Sequence, residues 1–93
     1  MIKSFKCKET EKIWNETRSK KFPSNIQDRA LRKLSIIDSA MAIDDLKNPP
    51  GNNLEGLQDN RKGQMSIRIN NQWRICFVWD DGEVYNVEIV DYH

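Results

Sequence analysis

The sequence predicts an α+β domain in which two or three helices pack on one face of an antiparallel sheet. In the first half of the chain, apolar residues recur every three or four positions, as on one side of a helix. After Gly63 they alternate with polar residues, as in a strand with one buried face. Short polar turn segments separate the alternating runs. The predicted order is therefore β-α-α-β-β-β.

The length of 93 residues suits one domain, residues 1–93, with a small core. Charged residues make up 31% of the chain and hydrophobic residues 38%, which is typical of a globular protein. No apolar run approaches the roughly 20 residues of a membrane span. The first residues also lack the apolar core of an export signal. We therefore expect a cytoplasmic protein that does not engage a membrane.

The first elements are a short strand and a helix. Residues 2–5 alternate and predict the strand. Residues 9 to about 20 favour the helix, with Ile13 and Trp14 as its buried contacts. The pair Phe22-Pro23 ends it, because a residue before proline is disfavoured in the helical region.

The second helix is predicted to begin at Ser24. Ser24 and Gln27 have the spacing of a capping box, in which both side chains satisfy free backbone donors. Arg29, Arg32 and Lys33 fall on the side opposite the apolar stripe. The stripe consists of Ile26, Ala30, Leu34, Ile37 and Met41.

A short helical turn over residues 42–46 and a loop over residues 48–60 precede the strands. Leu54 and Leu57 are expected to anchor the loop to the core. Asn70-Asn71 and Asp80-Asp81-Gly82 predict hairpin turns, and residues 84–90 form the last strand. The two predicted strands on either side of Asn70-Asn71 have core-facing residues at Met65, Ile67, Ile69, Trp73, Ile75, Phe77 and Trp79.

The net charge of +1 conceals an uneven distribution. Residues 1–33 hold ten Lys or Arg against four Asp or Glu, whereas residues 34–59 hold one against five. Such asymmetry indicates a basic face that attracts nucleic acid, although it is also consistent with charges that only solvate helices.

Arg68 and Arg74 lie on adjacent predicted strands, on the face turned away from the helices. Guanidinium groups pair well with phosphate, so the two arginines predict an anion-binding surface. The alternative is a pair of ordinary exposed cations.

Asp91, Tyr92 and His93 end the chain beyond the last predicted strand, near the same face. The histidine can exchange protons near neutral pH, and the carboxylate can orient it. With two arginines to stabilise a charged transition state, these groups suffice for metal-free RNA cleavage by the 2′-hydroxyl. Taken alone, a terminal histidine is also consistent with a mobile chain end.

The two cysteines, Cys7 and Cys76, are too few for a disulfide framework and lack metal-ligand spacing. With one histidine in the chain, we expect no metal site and no cofactor. Both thiols are expected to be reduced and to pack as small apolar groups.

The stretch "PPGNNLEGLQDNRKGQMSIRINNQWRICFVW", the terminal "VEIVDYH" and the opening "MIKSF" resemble the HigB toxins of the RelE/ParE superfamily. The resemblance implies a RelE-like fold and a ribosome-dependent endonuclease that cleaves mRNA in the ribosomal A site and contacts ribosomal RNA. It implies no metal cofactor. It further implies a HigA-type helix-turn-helix antitoxin, with operator DNA bound only through the antitoxin complex.

The family's catalytic residues carry over onto Arg74, Asp91, Tyr92 and His93. Some relatives have an arginine at the position of Asn70, which Arg68 can replace because both positions share a face. Other relatives have a lysine at the position of Gln58. Here Arg61 and Lys62 are the nearest cations, and they are the candidate RNA-binding residues.

Two alternatives remain at this point. ParE-like members of the superfamily poison DNA gyrase without cutting RNA, and such a binder does not require the Asp-Tyr-His terminus. The chain is also consistent with a co-repressor that acts only within its antitoxin complex.

Overall fold

A computed structural model describes residues 1–91, apart from the side chain of Asp59. Three short 3-10 helices lie between the second helix and the second strand, at Ile43–Lys47, Pro50–Asn52 and Asp59–Arg61. No helix of the described chain is long and apolar enough to cross a membrane. The regular elements are α1 (Lys8–Trp14), α2 (Ser24–Ser39), β1 (Glu55–Gly56), β2 (Met65–Arg68), β3 (Trp73–Asp80) and β4 (Glu83–Asp91).

The strands form one antiparallel sheet in the order β1-β2-β3-β4. The core contains the apolar side of α2, with Leu34 and Ile37, and sheet residues such as Ile67 and Phe77, all fully buried. The predicted α+β class is therefore confirmed. The two-residue strand β1 was not predicted, because it lies inside a segment rich in Pro, Gly and Asn.

The N-terminal segment, residues 2–5, lies beside β4 but runs parallel to it. Its backbone N–H groups and carbonyls bond those of Val84 and Val87, as in the 2.7 Å bond from the Lys3 N–H to the Val84 carbonyl. These contacts form two isolated bridges rather than a continuous strand. The segment thus covers the outer edge of β4 as far as Val87.

Helix α1 ends at Trp14, so the prediction of a helix to about residue 20 was wrong. Glu16 adopts a left-handed conformation with φ 61°. Its N–H donates to the Ile13 carbonyl, and the Thr17 N–H donates to the Lys12 carbonyl. These two bonds form a Schellman motif, which satisfies the last helical carbonyls and turns the chain away.

Helix α2 begins at Ser24, as predicted, but its capping and its C-terminal end differ from the prediction. Ser24 makes no capping bond, so the predicted capping box is wrong. Gln27 is instead buried, where its amide nitrogen donates to the Ser19 and Phe22 carbonyls and its oxygen accepts from the Ser19 N–H. At the other end, Ala40 is extended, so Met41 leaves the stripe and is 88% exposed.

The two predicted hairpins both form, through different turns. Asp81 and Gly82 have φ values of 49° and 89°, the left-handed pair that a tight hairpin requires. Asn70 does not adopt that conformation, contrary to prediction. Its side-chain oxygen instead accepts hydrogen bonds from the backbone N–H groups of Gln72 and Trp73, which holds a longer loop in place.

Candidate active site

Arg74 is held beneath the loop that precedes β2. Its Nε donates to the Ser66 hydroxyl at 2.8 Å, and its Nη2 donates to the Asn53 carbonyl at 2.5 Å. The same nitrogen lies 3.1 Å from a carboxylate oxygen of Glu55. The side chain is consequently buried at 7% exposure, whereas the sequence predicted an open position. The loop covers Arg74 because β1 pairs with the start of β2.

Arg68 lies directly opposite Arg74 in the β2-β3 pair, as the sequence predicted. Directly opposed residues share a face of the sheet, and like charges in that arrangement repel. The guanidinium of Arg68 donates to the side-chain oxygen of Asn71 at the hairpin. Two neighbouring cations therefore occupy one face, one fixed and buried, the other half-exposed.

Arg61 is fixed by a carboxylate, and Lys62 is exposed. The Nη1 of Arg61 lies 2.6 Å from an Oε1 of Glu88 and also donates to Gln64. The pair with Glu88 is largely withdrawn from solvent, so it links the turn before β2 to β4. Arg61 thus reaches the last strand, whereas Lys62 is exposed in the turn.

Asp91 lies at the end of β4 with Trp73 as its direct partner on β3. Its carboxylate accepts a hydrogen bond from the Gln72 side chain at 3.1 Å. Arg74, the next residue along β3, faces the other side of the sheet because successive strand residues alternate. The structure therefore places Asp91 on the Trp73 side, contrary to the predicted shared face. Tyr92 and His93 lie outside the described residues.

An open cleft of about 530 Å³ follows the end of β4. We call it the strand-end cleft. It combines cations, two aromatic rings and the acidic groups of β4, and it is missing from the sequence prediction because its walls come from distant segments. It is lined by Lys6, Cys7, Lys21, Phe22, Arg61, Trp73, Glu88, Ile89, Val90 and Asp91.

The thiol of Cys7 lies in this cleft with a shifted pKa. Burial opposes its ionisation, but hydrogen bonds from Thr10 and from the Glu9 backbone, with the nearby charge of Lys21, outweigh burial. The pKa of Cys7 is therefore below its usual value. By contrast, burial raises the pKa of the Cys76 thiol in the sheet. Both cysteines are free thiols, and the lower pKa favours the thiolate at Cys7 over Cys76.

A second cationic surface lies on α2. Arg29, Arg32 and Lys33 are three and four positions apart, so they share one side of the helix. We call these three residues the helix patch. Burial and then the charges of Arg29, Arg32 and Arg68 lower the pKa of Lys33. The patch therefore adjoins Arg68, and like charges accumulate there at an electrostatic cost.

The chain matches a family model over residues 3–93. That family is described as the RelE-like toxin of type II toxin-antitoxin system HigB. Toxin HigB-1 of Vibrio cholerae serotype O1 is 44% identical over 87 residues, which cover 92% of both proteins. Endoribonuclease HigB of Proteus vulgaris is 34% identical over 93 residues, which cover all of both proteins.

Solved structures share the fold at low sequence identity. A chain of the heterotetrameric YoeB–YefM toxin–antitoxin complex from Staphylococcus aureus has a TM-score of 0.63 at 18% identity, covering 100% of this chain and 95% of that one. YafQ from E. coli strain BL21(DE3) has a TM-score of 0.63 at 11% identity, covering 98% and 91% respectively. The helix-on-sheet architecture is therefore shared with these proteins.

Proposed function

Because the chain belongs to the HigB-like family of RelE-like toxins from type II toxin-antitoxin systems, we propose that it is a ribosome-dependent mRNA endonuclease. The family predicted from the sequence motifs is thereby confirmed. The structural observation that supports the activity best is the fixed Arg74 guanidinium. Ser66 and Asn53 hold it on the sheet face beside the last strand, opposite Arg68.

The proposed reaction is an internal attack within the mRNA. A base removes the proton of a 2′-hydroxyl, and the 2′ oxygen attacks the adjacent phosphorus. The bond from phosphorus to the 5′ oxygen breaks, and an acid protonates that oxygen. The products are a 2′,3′-cyclic phosphate and a 5′-hydroxyl. His93 and Asp91 are proposed to transfer these protons, and Tyr92 to contact the scissile nucleotide. Because Asp91 lies on the Trp73 side of the sheet, the scissile phosphate must lie at the end of β4 to be reached from both faces.

Arg68 and Arg74 stabilise the additional negative charge on the phosphate in the transition state. Arg74 is suited to this because its two bonds with Ser66 and Asn53 fix its orientation before substrate binds. In the free protein, Glu55 lies against the same guanidinium. A phosphate that approaches Arg74 therefore competes with the Glu55 carboxylate, which is half-exposed and can turn into solvent.

The helix patch is the proposed contact with ribosomal RNA. Among the described side chains, none of its three cations forms an ion pair with a carboxylate. Phosphate groups relieve the repulsion among such cations and release bound counterions. Arg61 and Lys62, in the turn before β2, are proposed to contact the mRNA backbone.

The proposed partner is a HigA-type antitoxin with a helix-turn-helix domain, expressed with the toxin in the cytoplasm. It neutralises the toxin, and the complex binds operator DNA through the antitoxin.

A translation assay tests the proposal. Purified ribosomes translate a defined mRNA with the wild-type toxin or with the variants His93→Ala, Arg74→Ala and Lys47→Ala. Lys47 pairs with Asp44 on the exposed 3-10 helix, so its replacement is the control. We expect cleavage by the wild type and the control, and strong loss in the other two. Circular dichroism checks folding, because Arg74 is buried.

Undiminished cleavage by both His93→Ala and Arg74→Ala would contradict the proposed site. DNA damage on expression in cells, without loss of transcripts, would instead support a gyrase-binding toxin.

A further inference from the structure

Two residues that line the strand-end cleft already have proposed roles, Asp91 in proton transfer and Arg61 in contact with the mRNA backbone, whereas its other walls have none. Asp91 lines it, and Tyr92 and His93 follow Asp91 directly in the chain. Its volume of about 530 Å³ falls within the range of small-molecule sites. A ligand in the cleft therefore lies next to Asp91, which is proposed to take part in the reaction.

The cleft contains two lysines that form no ion pair among the described side chains, although the charge of one of them, Lys21, also helps to lower the pKa of Glu9. Both Lys6 and Lys21 are exposed. The ammonium group of Lys21 lies 3.9 Å from the Cys7 sulfur and 5.6 Å from the centre of the Phe22 ring. Lys21 is thus held at the wall of the cleft, where it can meet an anion.

The aromatic wall is built from Phe22 and Trp73. Their ring centres are 5.5 Å apart and their planes meet at 86°, an edge-to-face contact. Phe22 is buried and supports Trp73, which is half-buried and lines the cleft. An aromatic ring beside two ammonium groups is the combination that binds single-stranded nucleic acid, through stacking and phosphate contacts.

A peptide strand is a poorer fit to the same place. Strand addition needs unpaired backbone groups along the sheet edge. On β4 the outward N–H groups of Val84 and Val87 bond the N-terminal segment. The next one, the N–H of Ile89, donates to the buried hydroxyl of Thr10 at 3.0 Å. The edge beside the cleft is therefore already occupied in the described chain.

We propose that the strand-end cleft binds a nucleotide of the mRNA adjacent to the scissile phosphate. Lys6 and Lys21 contact its phosphate, and its base lies against Trp73. This inference rests on the proposed function, because it assigns the flanking nucleotide of that substrate. The mRNA then passes from the arginine face of the sheet around the end of β4 into the cleft.

Cys7 supplies a probe for occupancy of the cleft, and Cys76, which is fully buried, supplies an internal control. Wild-type toxin is bound to ribosomes whose A-site codon carries 2′-O-methyl groups, which block the attack. Matched ribosomes carry an mRNA that ends in the P site. Each sample is treated with iodoacetamide, and mass spectrometry measures the alkylation rate of both cysteines.

We expect a filled A site to slow alkylation of Cys7 relative to an empty one, roughly tenfold when about nine-tenths of the toxin is occupied. The rate at Cys76 stays low in both samples. In the variants Lys6→Ala/Lys21→Ala and Trp73→Leu, the ratio of the two Cys7 rates falls towards one, since binding weakens on the order of tenfold. Loss of Lys21 changes the intrinsic reactivity of Cys7 equally in both samples, so this change cancels in the ratio of the two rates.

The control is Lys3→Ala/Lys47→Ala, which removes two exposed, ion-paired lysines outside the cleft. It should retain the wild-type ratio. If Trp73→Leu does not fold, the surface variant Lys6→Ala/Lys21→Ala carries the test alone.

Equal Cys7 rates with filled and empty A sites, while unmodified mRNA is still cleaved, would overturn this inference and leave the proposed function standing. The same holds if the ribosome protects Cys7 to the same extent without A-site mRNA. Protection by A-site mRNA without cleavage of unmodified mRNA would support the cleft and overturn the proposed function.

Discussion

The carboxylate of Glu55 lies 3.1 Å from the guanidinium of Arg74, the group that we propose contacts the scissile phosphate. The two residues belong to different parts of the chain and meet because β1 pairs with β2. Arg74 is buried and fixed, whereas the Glu55 side chain is 50% exposed. The free protein thus holds its proposed phosphate-binding arginine in an ion pair whose acidic member is the exposed one.

Replacement of Glu55 should therefore strengthen substrate binding. We expect Glu55→Gln to lower the KM for programmed ribosomes by up to about fivefold, the factor of a roughly 1 kcal/mol exposed ion pair. Glu83→Gln, which alters an exposed pair with Lys3, is the control. The measurement is cleavage rate against ribosome concentration. An unchanged or higher KM for Glu55→Gln would mean that Glu55 positions Arg74 rather than competing with substrate.

The helix patch makes a prediction about salt. Each phosphate contact contributes roughly 0.7–0.9 to the slope of log K against log salt concentration. We expect Arg29→Ala/Arg32→Ala to weaken ribosome binding and to reduce that slope by about 1.5. The control is Lys12→Ala/Lys47→Ala, which removes two lysines that are each paired with a nearby carboxylate. Co-sedimentation at several salt concentrations measures the slope, and equal slopes in both variants would contradict the assignment.

The burial of Gln27 predicts a stability difference at the start of α2. We expect Gln27→Ala to lower the free energy of unfolding by about 1–3 kcal/mol, because it leaves the buried backbone groups of Ser19 and Phe22 unsatisfied. Ser24→Ala should change it by less than about 0.5 kcal/mol, since Ser24 makes no capping bond. Urea unfolding measures both. If Ser24→Ala lowered the free energy of unfolding more than Gln27→Ala, the result would support the capping box instead.

The pKa of Cys7 predicts its pH profile. A lowered pKa means that the reactive thiolate persists to lower pH, so half-maximal alkylation should occur at a lower pH than for a cysteine with an unshifted pKa. Lys21→Ala should move that midpoint upward, because a positive charge no longer favours the thiolate. Lys47→Ala should leave it unchanged. The midpoint is obtained from rates of alkylation by iodoacetamide between about pH 6 and pH 10. A midpoint above that of an unperturbed cysteine would contradict the lowered pKa.

The parts of this fold that were predictable are those where one face of an element is buried. The stripe from Ile26 to Ile37 and the alternation through Ile75 and Phe77 follow directly from the periods of helix and strand. Element ends were less predictable. Trp14 ends α1 because Glu16 takes a conformation usually reserved for glycine, which residue type does not signal.

The candidate site was predictable only where neighbours in a hairpin form it. Arg68 and Arg74 oppose each other because the turn fixes the register of β2 and β3. The burial of Arg74 depends on how the loop with Asn53 folds, and the cleft joins Lys6, Lys21 and other distant segments. Such contacts join segments that are distant in the chain, and no local sequence pattern predicts them.

Cleavage of the mRNA by attack of the mRNA's own 2′-hydroxyl is tested most directly by the chemistry of the cut ends. Translated mRNA is incubated with toxin, with and without ribosomes, beside the same mRNA carrying 2′-deoxyribose at the cleaved nucleotide. We predict ends with a 2′,3′-cyclic phosphate and a 5′-hydroxyl, formed only when ribosomes are present. The deoxy substitution should abolish cleavage. Cleavage of the deoxy substrate, or 5′-phosphate ends, would contradict it.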